Sequence, residues 1–284
     1  GCDQVCAYCI VPRVRGRERS VPADYLVQQV NRLFDEGCKE VVLTGTQLGS
    51  YGFDLPDINL SGMLRRLLDE TSVPRIRVSS LQPAEITDDL LSLWTVEGRG
   101  RLCPHFHVPL QSGSDAVLRR MRRRYTSTEF LDAVERVRET VPGVSVTSDV
   151  IAGFPGESPD DHADTLEIVA RARFSGAHVF PYSQRPGTSA AHFGGHVPPG
   201  TRAERAAEIR KLADADAIRF RHASVGEVRS VLWESGEPPT GLTDNYLKVK
   251  LASGSDEAGT LENRIEHVRL SGVDGEVLTA ERAQ

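Results

Sequence analysis

The sequence contains no run approaching eighteen consecutive apolar residues, so none of its helices is expected to span a membrane. It also lacks a basic, then apolar, leader of the secretory kind. There is no excess of positive charge: 34 Lys and Arg stand against 40 Asp and Glu, a formal net charge of −6. That balance speaks against a surface uniformly attractive to nucleic acid, although binding uses local patches rather than the average. No histidine precedes His105. Five cysteines, an odd number with three inside eight residues, make a poor disulfide framework, and without a leader they indicate a reducing cytoplasm. Internal repeats and long low-complexity segments are absent as well.

What is present suffices for one sizeable core and a small accessory domain: 284 residues, 39% of them apolar. Short β-rich runs alternate with helical patterns over the first two-thirds. Strands are expected at 39–44, 75–79, 105–110, 145–151 and 177–181, and helices at 23–36, 60–70, 128–140 and 159–172. Such alternation implies a parallel sheet with right-handed crossovers. The chain opens on Gly1, one residue before its most informative motif, which reads as a fragment whose first strand lies upstream. With that sixth strand the architecture expected is α/β, a partial (βα)6 barrel. A charged helix over 202–222 then leads to short alternating strands at 227–233, 246–251 and 265–270, the pattern of a small β-barrel. The domains expected are 1–200, a linking helix at 201–223, and 224–284.

In such barrels ligands bind at the C-terminal ends of the strands. The polar and Gly-rich residues fall there, at 44–47, 79–80, 111–113, 149–157 and 182–188. The opening stretch holds Cys2, Cys6 and Cys9 in a C-x3-C-x2-C spacing with Tyr8 before the third cysteine. Thiolates this close converge on one centre only if the loop wraps around it. A four-iron, four-sulfur cluster takes four thiolates, so three leave one iron open to a small molecule. A zinc site of three cysteines and a histidine is the competing reading, and it needs a His nearby. Cys38 and Cys103 have no such company and read as small core residues.

The spacing and Tyr8 resemble the C-x3-C-x-aromatic-C motif of the radical S-adenosylmethionine superfamily. Longer stretches resemble its methylthiotransferase family: His107 to Ser114, Met121 to Thr126 and Asp149 to Glu157. The resemblance implies a [4Fe–4S] cluster on Cys2, Cys6 and Cys9, and reductive cleavage of S-adenosylmethionine to a carbon radical. It implies cofactor contacts at Tyr8, Thr44, Gly45, Ser79, Gln111, Asp149, Ile151, Gly153 and Arg124. It also implies a second cluster in an N-terminal domain not present here, a sulfur source, and an electron donor such as flavodoxin or ferredoxin. The C-terminal β-barrel resembles the TRAM domain, an RNA-binding module.

Leu43 to Gly52, Gly241 to Val249 and Phe180 to Thr188 resemble the branch that acts on threonylcarbamoyladenosine. The function implied is insertion of a methylthio group at C2 of N6-threonylcarbamoyladenosine at tRNA position 37, by a cytoplasmic enzyme that docks an anticodon stem-loop. Isopentenyladenosine in tRNA and an aspartate of a ribosomal protein are the family's other substrates, and Asp256, Glu257, Glu262 and Glu266 give the ribosomal reading some support. A non-catalytic, metal-holding RNA-binding module is the rival from another class. Arg13, Arg15 and Arg17 after the cysteine loop, and Lys248 and Lys250 on one side of a strand, are the RNA contacts expected, with Tyr51 or Tyr182 stacking on the flipped base.

Overall fold

The computed structural model describes residues 1–97, 100–252 and 261–283, so Asp256 and Glu257 lie outside the described residues. A four-residue helix, α1 (Val11–Val14), leads into a strand–helix alternation. Its members are α2 (Ala23–Asp35), β1 (Glu40–Leu43), α3 (Leu60–Glu70), β2 (Arg75–Val78), α4 (Asp88–Ser92), β3 (His105–His107), α5 (Asp115–Met121), α6 (Ser127–Thr140), β4 (Ser145–Ala152), α7 (Pro159–Ala172), β5 (Gly176–Pro181) and α8 (Pro199–Ala223). The helices form where one apolar stripe meets a start signal. In α2 the buried residues Ala23, Val27 and Val30 recur at helical spacing. In α6 and α7 reciprocal side-chain to backbone bonds, Thr126 with Glu129 and Ser158 with Asp161, satisfy the amides at the N-terminus.

β1 pairs with β2, β3 with β4 and β4 with β5, all in parallel. Between β2 and β3 the ladder thins to bridges at Ile76–Leu102 and Ser80–His107. The five strands therefore follow one another in chain order, the arrangement of a partial barrel, and all their C-terminal ends face one side. One apolar cluster fills the space between sheet and helices, with Leu64, Leu67, Ile76, Phe106, Phe130 and Phe174 at its centre. α8 starts at Pro199 and is more than the connector expected from its charge, because Ala206, Ile209 and Ala213 join that same cluster.

After α8 come β6 (Val228–Glu234), β7 (Thr240–Thr243), β8 (Lys248–Leu251), β9 (Ile265–Asp274) and β10 (Val277–Arg282), closed into a barrel in the order β10-β8-β7-β6-β9. Val231, Trp233, Val249, Val268, Leu270 and Leu278 fill it. Two of its strands, β7 and β10, escape the alternation pattern. The strand expected from Tyr246 starts at Lys248, because Tyr246 lies in a turn with φ +69°.

The small barrel docks on the N-terminal ends of the parallel strands. Glu40 of β1 pairs with Arg75 at 3.0 Å and with Arg77 at 2.8 Å; both arginine side chains are buried and that of Glu40 is largely so. The two guanidiniums also donate to the carbonyls of Leu242, Thr243 and Asp244. The Tyr246 ring stacks on His105 at 4.6 Å and lies 5.0 Å from the Arg77 guanidinium. Among the described residues no helix is long and apolar enough to cross a membrane.

Candidate functional site

The cysteine loop sits at the opposite, C-terminal ends of the strands and is anchored on three sides. The Cys2 amide donates to Gly16 O at 3.1 Å, which closes the loop. The Ala7 amide donates to Met121 O at 2.9 Å, and Ala7 O accepts from the Ala190 amide at 2.8 Å. Asp3 and Glu18 exchange amide bonds, and Asp3 pairs with Arg17 at 2.9 Å. Beneath the loop lies a small apolar cluster of Ala7, Val117, Met121, Phe154, Tyr182 and Ala190, with Tyr8 against it. The wrap that the spacing demands is therefore built by the packing of this cluster.

Cys2, Cys6 and Cys9 are all free and half-buried. Burial pushes the Cys2 thiol up, opposed by the Gln4 amide that points at its sulfur from 3.4 Å and reinforced by Glu18, Cys6 and Cys9. Nearby negative charge and desolvation both oppose the thiolate, so a cationic iron centre would relieve what the protein alone leaves unfavourable. Arg123 donates to Cys6 Sγ at 3.3 Å and lies over the Tyr125 ring at 4.9 Å, a fixed positive charge against one sulfur. Among the described residues no three His, Cys, Asp or Glu side chains gather to hold a single metal ion. His105, the nearest histidine in sequence, is stacked on Tyr246 at the far end of its strand, so it cannot complete a zinc site. The donor set is three thiols with no histidine beside them, the chemistry of an iron–sulfur cluster rather than of a lone zinc ion.

A cavity of about 290 Å³ opens beside the loop. Tyr8, Cys9, Gln111, Asp149, Ile151 and Tyr182 are among the residues that line it, so five of the positions singled out in the sequence meet here, with Tyr182 among the stacking candidates. Gln111 is held at φ +64°, an unusual value for a side chain other than glycine, by paired backbone bonds to Asp149 and Ile151. The Asp149 carboxylate lies 3.3 Å from His107 Nε2. Two hydroxyls near the strand ends, Ser79 Oγ and Tyr182 OH, are buried with no hydrogen-bond partner. Gly153 takes φ +72° and its amide donates to the buried Glu157 carboxylate, which Arg205 holds at 2.8 Å.

Other expected positions lie elsewhere. Thr44 and Gly45 line a separate cavity of about 560 Å³ along the open edge of β1. Arg124 is solvent-exposed, and the structure gives the place beside the loop to Arg123 instead. The cause is local: Arg122 closes α5 in the left-handed conformation (φ +61°), and the Arg123 amide returns to Leu118 O, which turns Arg123 inward and Arg124 outward. Tyr51 donates to Val21 O and is not at the cavity. Arg13 and Arg15 are exposed, whereas Arg17 is paired with Asp3. Lys248 and Lys250 do share the outer side of β8, and Lys250 pairs with Asp274. Sequence reasoning missed Arg123, the Glu157–Arg205 pair and Glu85. Burial pushes the Glu85 carboxyl up against bonds from the Gln82 amide and Gln47, which tie the loops after β1 and β2 together.

Fold and site together define a partial-barrel protein with a three-cysteine loop beside a cavity at its strand ends. Residues 1–169 match the model of the Radical SAM superfamily, and the chain belongs to that superfamily. It is 42% identical over 238 residues (84% of this chain, 48% of the other) to a tRNA-2-methylthio-N(6)-dimethylallyladenosine synthase of Acidothermus cellulolyticus. It is 37% identical over 269 residues (92% and 59%) to the threonylcarbamoyladenosine tRNA methylthiotransferase MtaB of Bacillus subtilis. The chain thus spans about half the length of these curated relatives. Among solved structures, coproporphyrinogen III oxidase of Escherichia coli, a radical SAM enzyme, superposes with a TM-score of 0.53 at 16% identity, over 80% of this chain and 57% of that one, which speaks to the fold alone.

Proposed function

We propose that this chain is the cofactor-binding core of a tRNA methylthiotransferase that inserts a methylthio group at C2 of N6-threonylcarbamoyladenosine at tRNA position 37. The observation that carries the reading is the loop of three free thiols, anchored beside a cavity lined by Tyr8, Gln111 and Asp149. Cys2, Cys6 and Cys9 would hold a [4Fe–4S] cluster, with Arg123 against Cys6. When bound, such a cluster supplies one electron to S-adenosylmethionine, whose cleavage gives methionine and a carbon radical. The chain's own residues do the rest. Gln111 and Asp149 present polar atoms to a ribose, and Ile151 offers an apolar edge to a base.

The names of the relatives support a tRNA substrate, and they divide between dimethylallyladenosine and threonylcarbamoyladenosine. Arg185 favours the second: it lines the cavity, is exposed and has no acidic partner among the described residues, so its planar fork is free for the carboxylate that only the threonylcarbamoyl group carries. The more numerous dimethylallyladenosine relatives support the other reading. Anaerobic reconstitution with iron and sulfide tests the cofactor assignment. The expected result is a brown protein that forms 5′-deoxyadenosine on reduction, with neither outcome in the Cys2→Ala/Cys6→Ala/Cys9→Ala variant; a colourless protein holding zinc overturns it. Nucleoside profiling of tRNA from a deletion strain tests the substrate. Loss of the methylthio mark from threonylcarbamoyladenosine supports the reading, and loss from isopentenyladenosine alone overturns it.

A further inference from the structure

One face of the β3–β4 pair carries a continuous row of polar side chains. Residues two apart on a strand share a face, and His107 lies opposite Thr147 in the parallel register. His105, His107, Thr147 and Asp149 therefore stand on the same side. Their contacts are close. His105 Nε2 lies 2.9 Å from Thr147 Oγ1, and His107 Nδ1 lies 3.0 Å from the same oxygen. His107 Nε2 lies 3.3 Å from Asp149 Oδ2. The row begins beneath Tyr246 of the small barrel, whose ring covers His105 at 4.6 Å, and ends at Asp149, which lines the cavity beside the cysteine loop.

The protons of this row fit one direction only. An ionised carboxylate accepts and does not donate, so His107 Nε2 carries a proton towards Asp149. His107 Nδ1 is then bare and accepts from the Thr147 hydroxyl. That hydroxyl has a single proton, so towards His105 its oxygen accepts and His105 Nε2 donates. Burial, with the charge of Arg77, keeps His105 neutral, which leaves its Nδ1 bare. That atom is buried with no hydrogen-bond partner. The reverse polarity would put a proton on His105 Nδ1 where nothing accepts it, and inside proteins an unpaired N–H is rarer than an under-used acceptor.

We propose that His107 and Thr147 are positioning residues for the cofactor: they hold the Asp149 carboxylate by one oxygen and leave the other to accept from a ribose hydroxyl. The inference rests on the cofactor reading given above. Among the described residues the Asp149 carboxylate has no side-chain partner besides His107, so its orientation depends on that ring, and the ring's tautomer depends on Thr147. Tyr246 shields the far end, where a water able to accept from His105 Nδ1 would let the row reverse.

Two measurements test the proposal. Nitrogen-15 NMR of the imidazole rings, on the protein before reconstitution, reads the tautomers. Neutral His105 and His107 are both expected with the proton on Nε2, and a proton on Nδ1 of either neutral ring overturns the proposal. Equilibrium binding of S-adenosylmethionine to the reconstituted protein reads the consequence. Thr147→Val is expected to bind about fivefold more weakly, the worth of one hydrogen bond, whereas Thr147→Ser keeps the hydroxyl and should bind as the unaltered protein does. His107→Phe should lose about tenfold, because it removes a donor to a charged group, and His107→Gln, whose amide can still donate to Asp149, should recover most of that loss. In an Asp149→Ala background neither Thr147→Val nor His107→Phe should weaken binding further. Equal binding by the Thr147→Ser and Thr147→Val variants, or additive losses in the Asp149→Ala background, would make the row a packing feature and overturn the proposal. Failure of the unaltered reconstituted protein to bind S-adenosylmethionine overturns the cofactor reading itself, on which the tautomers do not depend.

Discussion

The two ends of the parallel strands are built on opposite principles. At the N-terminal end, buried charge is matched within the protein: Glu40 faces Arg75 and Arg77, and the guanidiniums also donate to carbonyls of the small barrel. At the C-terminal end, the groups most costly to leave unmatched are left so. Three thiols share a loop, Ser79 and Tyr182 bury hydroxyls with no partner, and Arg13 and Arg15, which follow the loop in sequence, face solvent without a counter-charge among the described residues. The contrast has exceptions, since His105 Nδ1 and Ser145 Oγ also lack partners at the N-terminal end. Its lesson is that one end of the fold is organised for stability and the other for ligands, as in closed strand–helix barrels.

The largest effect that would test this contrast is expected from Glu40. Replacing it with Ala strands two buried arginines, each about 3% exposed, in a site that Tyr246 covers. Breaking a buried pair by removing one partner costs about 3 to 5 kcal/mol. Urea unfolding should show a loss of that order in the Glu40→Ala variant. A loss below about 1 kcal/mol would mean that the N-terminal end is no more tightly matched than the surface.

His105 gives an effect of intermediate size and a pH dependence. Burial, with the nearby positive charges of Arg77 and His107, holds its pKa down at about 3, against an ordinary value of 6.5. The unfolded chain therefore takes up a proton that the folded chain refuses. The stabilisation is complete above pH 6.5 and is lost progressively as the pH falls from there towards 3. Between pH 7 and 5 the loss should be about 2 kcal/mol. His105→Phe keeps a ring against Tyr246 and removes the titration, so its stability should fall by about that much less over the same interval. Parallel pH profiles of the two proteins would show that the ring is not held neutral.

How much of this was legible in the sequence follows from how local each feature is. The cysteine loop was legible because its chemistry lies within eight residues, and the five parallel strands because their helices punctuate them. The choice between Arg123 and Arg124 was not, since it depends on the left-handed turn at Arg122. The Glu40–Arg75–Arg77 cluster was invisible for a different reason. Arg-Ile-Arg-Val reads as an alternating strand with one wet face, and only the arrival of residues 242–246 buries both faces. β10 was missed because Leu-Thr-Ala-Glu-Arg favours a helix, and pairing with β8 and β9 overrides that preference.

The smallest expected effect on stability is at the C-terminal end, and its smallness is informative. The Tyr182 hydroxyl is buried and unpartnered, and the residue lines the cavity. A buried polar group without a partner carries a desolvation penalty, so removing it relieves the folded state rather than breaking a bond. Tyr182→Phe keeps the ring packed edge-on against Phe154 at 5.3 Å and should leave stability unchanged or raise it by up to about 1 kcal/mol. If the hydroxyl is kept for a ligand, the same variant should bind S-adenosylmethionine several-fold more weakly, since one hydrogen bond is worth about 1 kcal/mol. Thermal unfolding and equilibrium binding on the reconstituted protein separate the two effects. Unchanged affinity together with lowered stability would make Tyr182 a packing residue, and the division between the two ends of the fold would then rest on the thiols and arginines alone.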